Sequence, residues 1–288
     1  MLARNSQKLD PECLVAQRLK RLSSIDSKLS RFKNMKLSQM QDIAGCRAVV
    51  NTTECVYRLV DLYKKSQIKH KLHEEYDYIA NPKPSGYRSV HMIYRYYSDR
   101  KTTYNDLRIE IQLRSRLQHA WATAVEVVGA FTKQALKASR GEEDWLRFFL
   151  LMSADIAARE KTSSVPNTPE SPKKLKEELR TYIKGLDVFN RLQAYRAMVA
   201  PPPDITGKNP HYFLVSLDLN QHTVTLKTFK MRELPQATNE YLREEKLAGS
   251  SRDVVLVSVD SVDALKKAYP NYFLDTDVFI SAVKKAIS

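Results

Sequence analysis

A chain of 288 residues, 43% of them hydrophobic, is long enough to bury a core in one large domain or two smaller ones. Its three cysteines, Cys13, Cys46 and Cys55, form an odd set without CxxC spacing, which argues against a disulfide framework or a zinc site and suits a reducing cytoplasm. The net charge of +14 is uneven: residues 1–134 hold 24 lysines and arginines against 13 aspartates and glutamates, or +11 of the total. Such a balance points to a phosphate-rich partner, with a basic solvated surface as the plain alternative.

Residues 11–35 place Leu14, Leu19, Leu22, Ile25 and Leu29 at mixed three- and four-residue steps, which predicts a helix with a basic opposite face. GCRAVV (45–50), SVHMIYRYY (89–97) and LRIEIQLRS (107–115) alternate and are rich in β-branched or aromatic residues, so they read as strands. Residues 52–66, 115–137 and 140–160 read as helices, TSSVPNTPESP (162–172) as an exposed loop, and roughly 173–199 as a second long helix ending at a proline run. Beyond it come a hairpin turning at Leu219–His222, a helix at 235–247, a strand at 254–259 and helices at 261–268 and 276–287. The sum is an α+β fold, a mixed sheet flanked by helices. The expected divisions are a domain over 1–160, a linker loop and helix over 161–204, and a small α+β domain over 205–288. FFLLM at 148–152 is too short to cross a bilayer, and no membrane association is expected.

Three stretches could carry chemistry. In LRIEIQLRS, alternation sends Leu107, Ile109, Ile111 and Leu113 to a buried face and Arg108, Glu110, Gln112 and Arg114 to a polar one. That polar row suits a metal ion beside phosphates, or equally a solvated face with cross-strand ion pairs. A Mg²⁺ ion bridging phosphates wants a second carboxylate, and Asp42, just ahead of a strand, is a candidate that could also be a cap. In DYIANPKPSGYRSVH (77–91), Pro82 and Pro84 stiffen a loop in which Gly86 permits a backbone geometry that a Cβ would hinder. Tyr87 then offers a ring for stacking a base, and Lys83, Arg88 and His91 offer donors to phosphates, although an ordinary turn would look similar. Neither GxxxxGK[ST] nor GxGxxG occurs.

AQRLKRLSSIDSKL, QDIAGCRAVV, DYIANPKPSGYRSVH and IEIQLRSRLQHAWATAVE together resemble, in order and character, the RelA/SpoT-type alarmone synthetase domain, over roughly residues 12–160. Members of that family transfer the β,γ-pyrophosphate of ATP to the 3′-hydroxyl of a guanine nucleotide. The resemblance implies Asp42 and Glu110 as Mg²⁺ ligands and Arg18 and Arg47 as the residues that sandwich adenine. It implies Lys20, Arg21, Ser24 and Lys28 as neutralisers of ATP phosphates, with Arg21 standing where many synthetases have a small hydroxyl residue. On the acceptor side it implies Tyr87 under the base, Lys83, Arg88 and His91 as contacts, Glu110 as a base toward the 3′-hydroxyl, and Gln112 and Arg114 as cleft wall.

The C-terminal part resembles that of single-chain toxin–antitoxin proteins of the CapRel type. That resemblance implies tRNA as the favoured acceptor and a translation-blocking toxin held inactive by its own tail, with a phage capsid protein as trigger in antiviral defence. Tyr269 and Tyr272, in YPNY, would then plug the ATP cleft, although burial in the tail's own core is the alternative. A small alarmone synthetase making (p)ppGpp from ATP and GDP or GTP is the second expectation, and an RNA-binding module with a degenerate cleft the third.

Overall fold

The computed structural model describes residues 2–20, 22–132, 143–197, 211–218, 220–221, 223–248, 252–259, 261–273 and 276–288. In chain order the elements are α1 (Leu2–Leu9), β1 (Leu14–Leu19), α2 (Leu22–Arg31), β2 (Ala44–Val50), α3 (Thr53–Lys65), β3 (Lys71–Asp77), β4 (Val90–Arg95) and β5 (Arg108–Ser115). There follow α4 (Arg116–Phe131), α5 (Glu143–Arg159), α6 (Pro172–Gly185) and α7 (Val188–Ala197), then β6 (Tyr212–Asp218), β7 (Thr223–Phe229), α8 (Leu234–Leu247), β8 (Arg252–Ser258), α9 (Val262–Ala268) and α10 (Asp277–Ile287).

The strands form one mixed sheet in the order β3-β4-β5-β2-β1-β8-β6-β7. β1 runs antiparallel to β2 from Leu14↔Val49 to Leu19↔Ala44, and on its other edge pairs with β8 only at Gln17↔Ser258 and Arg18↔Val257. β8 in turn pairs with β6 over seven positions, Tyr212↔Ser258 to Asp218↔Arg252. The strands laid down last in sequence therefore continue the sheet laid down first.

The chain separates into two compact units. The first comprises residues 1–76, 90–113 and 202–268 and holds the sheet, with α3 capped by Thr52, whose hydroxyl accepts from the Cys55 amide at 3.2 Å. The second comprises residues 77–89, 114–201 and 269–288 and is built around α4, α5, α6 and α10. Its core stacks Trp145 on Phe149 at 5.7 Å and sets Phe279 of α10 edge-on to Phe148 at 6.1 Å. The α4 start is fixed by a reciprocal cap between Ser115 and Gln118.

Several expectations need correction. Residues 14–19 are a strand, not the first half of a helix, because β1 is bonded on both edges and tertiary pairing overrides a local leucine stripe; Leu22, Ile25 and Leu29 do lie on a helix, α2. The helix expected over 173–199 breaks at Leu186–Asp187, where Asp187 takes φ +49°. The alternation of burial expected over LRIEIQLRS holds only in part: Leu113 is buried as expected, but Leu107, just ahead of β5, is exposed and Ile109 and Ile111 are half-buried, while Glu110 and Arg114 of the polar row are buried. β3 was not anticipated, since KLHEEYD has little β-branched content. The linear division at 160 and 205 does not coincide with the units: 212–268 belongs with the sheet, and α10 with the helices. The proline run after Met198 and the turn ends Leu219 and His222 lie outside the described residues.

Candidate active site

In the first unit, Lys20 follows β1 directly and its amide donates to the Ile43 carbonyl at 2.8 Å, which carries the β1–β2 ladder one step further. This brings Lys20 beside Asp42. The Lys20 ammonium lies 2.7 Å from Asp42 Oδ2, and Lys28, from α2, reaches Oδ1 at 3.1 Å. Partial burial pushes the Asp42 carboxyl up, but the hydrogen bonds and charges of Lys20 and Lys28 outweigh it and hold the group below the usual carboxylate range.

On β5, Glu110 receives the Gln112 amide at 2.6 Å on Oε2, and His91 Nδ1 stands 2.7 Å from Oε1. His91 comes from β4, two positions along the ladder from the residue facing Glu110, with the register Ile93↔Glu110 and His91↔Gln112. Burial raises the Glu110 carboxyl; bonding to His91, the charge of His91 and bonding to Gln112 prevail and lower it, against a small push upward from Asp42. Gly45, at the head of β2, is also close to β5, where a Cβ would stand 3.8 Å from the Glu110 carbonyl.

Two ionised carboxylates with oxygen donors fit a hard divalent cation such as Mg²⁺, which takes one or two carboxylates and fills its octahedron with phosphate oxygens and water. No group of three or more His, Cys, Asp or Glu side chains able to hold a metal occurs among the described residues, so an all-protein cage is not what this donor set offers.

Of the other donor-side residues, Arg47 is buried on β2 and its guanidinium donates to the Ala268 carbonyl at the end of α9, 3.4 Å away. Ser24 is half-buried on α2. Arg18 lies on β1 with its side chain outside the described set, and Arg21 lies outside the described residues altogether.

In the second unit, the loop 77–89 brings a lysine and two tyrosine rings together. The Gly86 amide closes a turn onto the Lys83 carbonyl at 2.8 Å, and Gly86 takes φ +84°. Ser153 of α5 donates to the Gly86 carbonyl at 2.5 Å, and a Cβ on Gly86 would meet the Ser153 Cβ at 2.9 Å. Both the dihedral and the space demand glycine. The Lys83 ammonium sits 4.1 Å from the centre of the Tyr78 ring and 5.4 Å from that of Tyr87, the rings standing at 65° to one another. Sequence reasoning missed Tyr78; its place nine residues before Tyr87, across the turn, was the available signal.

Arg88, expected at the acceptor, is buried. Its guanidinium donates to the Ser163 carbonyl at 2.9 Å, to the Ile79 carbonyl at 3.2 Å and to the Thr162 hydroxyl, clamping both ends of the loop to the segment after α5. Arg114 is buried as well. Tyr269 and Tyr272 are both buried, with rings edge-on at 6.4 Å, and their turn, Pro270–Phe273, packs on α4.

Residues 17–131 match the family described as the region found in RelA / SpoT proteins. Over 112 residues the chain is 32% identical to the GTP pyrophosphokinase YwaC of Bacillus subtilis, covering 37% of this chain and 52% of that protein. It is likewise 32% identical over 112 residues to the GTP pyrophosphokinase YjbM of the same organism, covering 38% and 52%. The match thus spans about half the length of either relative. Among solved structures, the small alarmone synthetase 1 of B. subtilis with its product pppGpp aligns over 51% of this chain and 74% of that one, at 25% identity and a TM-score of 0.44.

Proposed function

We propose that this chain is a pyrophosphokinase that moves the β,γ-pyrophosphate of ATP onto the 3′-hydroxyl of GDP or GTP. The observation that carries this reading is the placing of Asp42, just ahead of β2, and Glu110, on the neighbouring β5, with Lys20 and Lys28 on one carboxylate and His91 and Gln112 on the other, inside the matched residues 17–131. The names of the relatives support the guanine nucleotide as acceptor.

In the proposed reaction the acceptor 3′-oxygen bonds to the β-phosphorus while the bond from that phosphorus to the α,β-bridging oxygen breaks, releasing AMP. The hydroxyl proton passes to Glu110, which its two hydrogen bonds keep ionised and oriented at neutral pH. Lys20 and Lys28, parked on Asp42, are the cations that meet the incoming phosphates, with Ser24, Arg21 and Arg18 in the same stretch and Arg47 on the adenine. Mg²⁺ held by Asp42 and Glu110 would spread the developing negative charge. Tyr87 stacks the acceptor base and Lys83 meets its phosphates, while Arg88 holds the loop that presents them. His91 and Gln112 act on Glu110 rather than on the acceptor.

A second reading, with the tRNA 3′ end as acceptor and the C-terminal part as an internal antitoxin released by a phage protein, draws on the union of β8 with β1 and on the Ala268 carbonyl that engages Arg47. No helix among the described residues is long and apolar enough to cross a membrane, and we place the reaction in the cytoplasm.

The test is transfer of label from γ-³²P-ATP by the full chain with Mg²⁺, offered GDP, GTP and deacylated tRNA separately. Label on the guanine nucleotides is expected. Label on tRNA alone would replace that acceptor by the second reading, and no label on any of the three would overturn the reading as a guanine-nucleotide pyrophosphokinase.

A further inference from the structure

Away from the carboxylate pair, the sheet ends at β3, and two segments meet at that edge: KKSQIKHK (64–71), leading from α3 into β3, and RYYSDRKTTY (95–104), leaving β4. Together they hold seven lysines and arginines against one aspartate. Their proximity is fixed by three contacts. His70 stacks on Tyr96 with ring centres 5.0 Å apart at 25°, His70 Nδ1 accepts the Tyr97 amide at 3.1 Å, and Lys69 pairs with Asp99.

On this framework Tyr97 and Tyr104 are 48% and 49% exposed, far more than a ring needs for packing, and the Lys101 ammonium lies 5.0 Å from the centre of the Tyr104 ring. Lys65, Lys71, Arg100 and Lys101 are exposed and form no ion pair within the described residues. Flat rings interleaved with uncompensated cations match the surface that tracks a single strand: bases stack, phosphates meet ammonium and guanidinium groups. Thr102 and Thr103, both exposed, add hydroxyls that can bond a ribose 2′-hydroxyl. The charge of β3 and its flanks also disfavours strand addition by another protein.

We infer that this edge is a binding surface for single-stranded RNA, separate from the carboxylate pair and independent of which acceptor the enzyme uses. The test is fluorescence anisotropy of a labelled oligouridylate of roughly twelve nucleotides with the full-length chain, beside the oligodeoxyuridylate of the same length and vesicles containing phosphatidylserine. Binding should weaken steeply with added salt, and the double substitution Tyr97→Ala with Tyr104→Ala should weaken it about tenfold or more. Lys101→Glu should cost several-fold and flatten the salt slope, while Tyr97→Phe should keep the parent affinity. All three side chains are exposed, so an unchanged melting temperature is the control for folding.

Equal binding by the double variant and the parent would overturn the proposal, as would binding of the deoxy strand or the vesicles as tight as that of RNA. Glu110→Gln should bind RNA like the parent, so a failed transfer assay and a failed RNA surface are read separately.

Discussion

The two groups of residues proposed to handle donor and acceptor are held by different physics. On the donor side, Lys20 and Lys28 are fixed by ion pairs to a half-buried Asp42, and a phosphate can take over either cation. On the acceptor side, the loop 77–89 is tied by Arg88 and Ser153 to neutral backbone carbonyls that no ligand replaces. The first arrangement stores cations for a ligand; the second fixes a shape before any ligand arrives. Electrostatic parts of a site can therefore be rearranged by substrate, whereas a stacking surface must already be flat and in place.

The largest effect should come from breaking the chemistry itself. Asp42→Ala or Glu110→Ala should lower label transfer by roughly 10²–10³-fold or more, with circular dichroism unchanged. Next, Gly86→Ala should strike the preformed shape: a Cβ at φ +84° and 2.9 Å from Ser153 should destabilise the chain by about 1–3 kcal/mol and lower its melting temperature. A smaller pair of variants separates the two sides. Lys20→Met should raise KM for ATP several-fold and leave that of the acceptor, and Tyr87→Leu should do the reverse.

Acid discriminates them too. Because the Asp42 carboxyl is held below the usual range, its ion pairs contribute fully above the unfolded-state value near 3.8 and are lost as pH falls through the lower folded one. The Arg88 clamp onto carbonyls has no such titration. Carboxyl resonances followed by NMR should show Asp42 protonating later than an ordinary aspartate. The smallest effect concerns thiols. Burial, aided by the charge of Asp10, pushes Cys13 up to about 11, so its alkylation at pH 8 should be slow and should accelerate as pH rises toward that value.

How much of this was legible in the sequence depends on whether a signal is local. β2, β4 and β5 declared themselves by alternation, and α3, α4, α5, α8 and α10 by periodicity. β1 did not, because what makes LVAQRL a strand is a partner more than 230 residues away as well as one nearby. Asp42 and Glu110 were singled out by strand position and by family resemblance, and the structure adds which cations and donors attend them. Arg88 shows the limit: an arginine beside Gly86 and Tyr87 reads as a phosphate contact, and only the fold reveals three internal oxygens around its guanidinium. Tyr78 was overlooked because its partner is a lysine across a turn, a pairing that no single-residue pattern displays.

The way β8 closes onto β1 also has a consequence for biosynthesis. A strand completed by residue 19 keeps a bare edge until residues 252–258 have been made, so the emerging polypeptide carries an unsatisfied hydrogen-bonding edge through most of its translation. The two-position pairing that finally covers it joins the most distant partners in the sheet, a late event in folding with a high entropic cost of closure. A polypeptide cut short after α7 would keep that edge open for good, and its tendency to aggregate would have to be separated from any change in its catalysis.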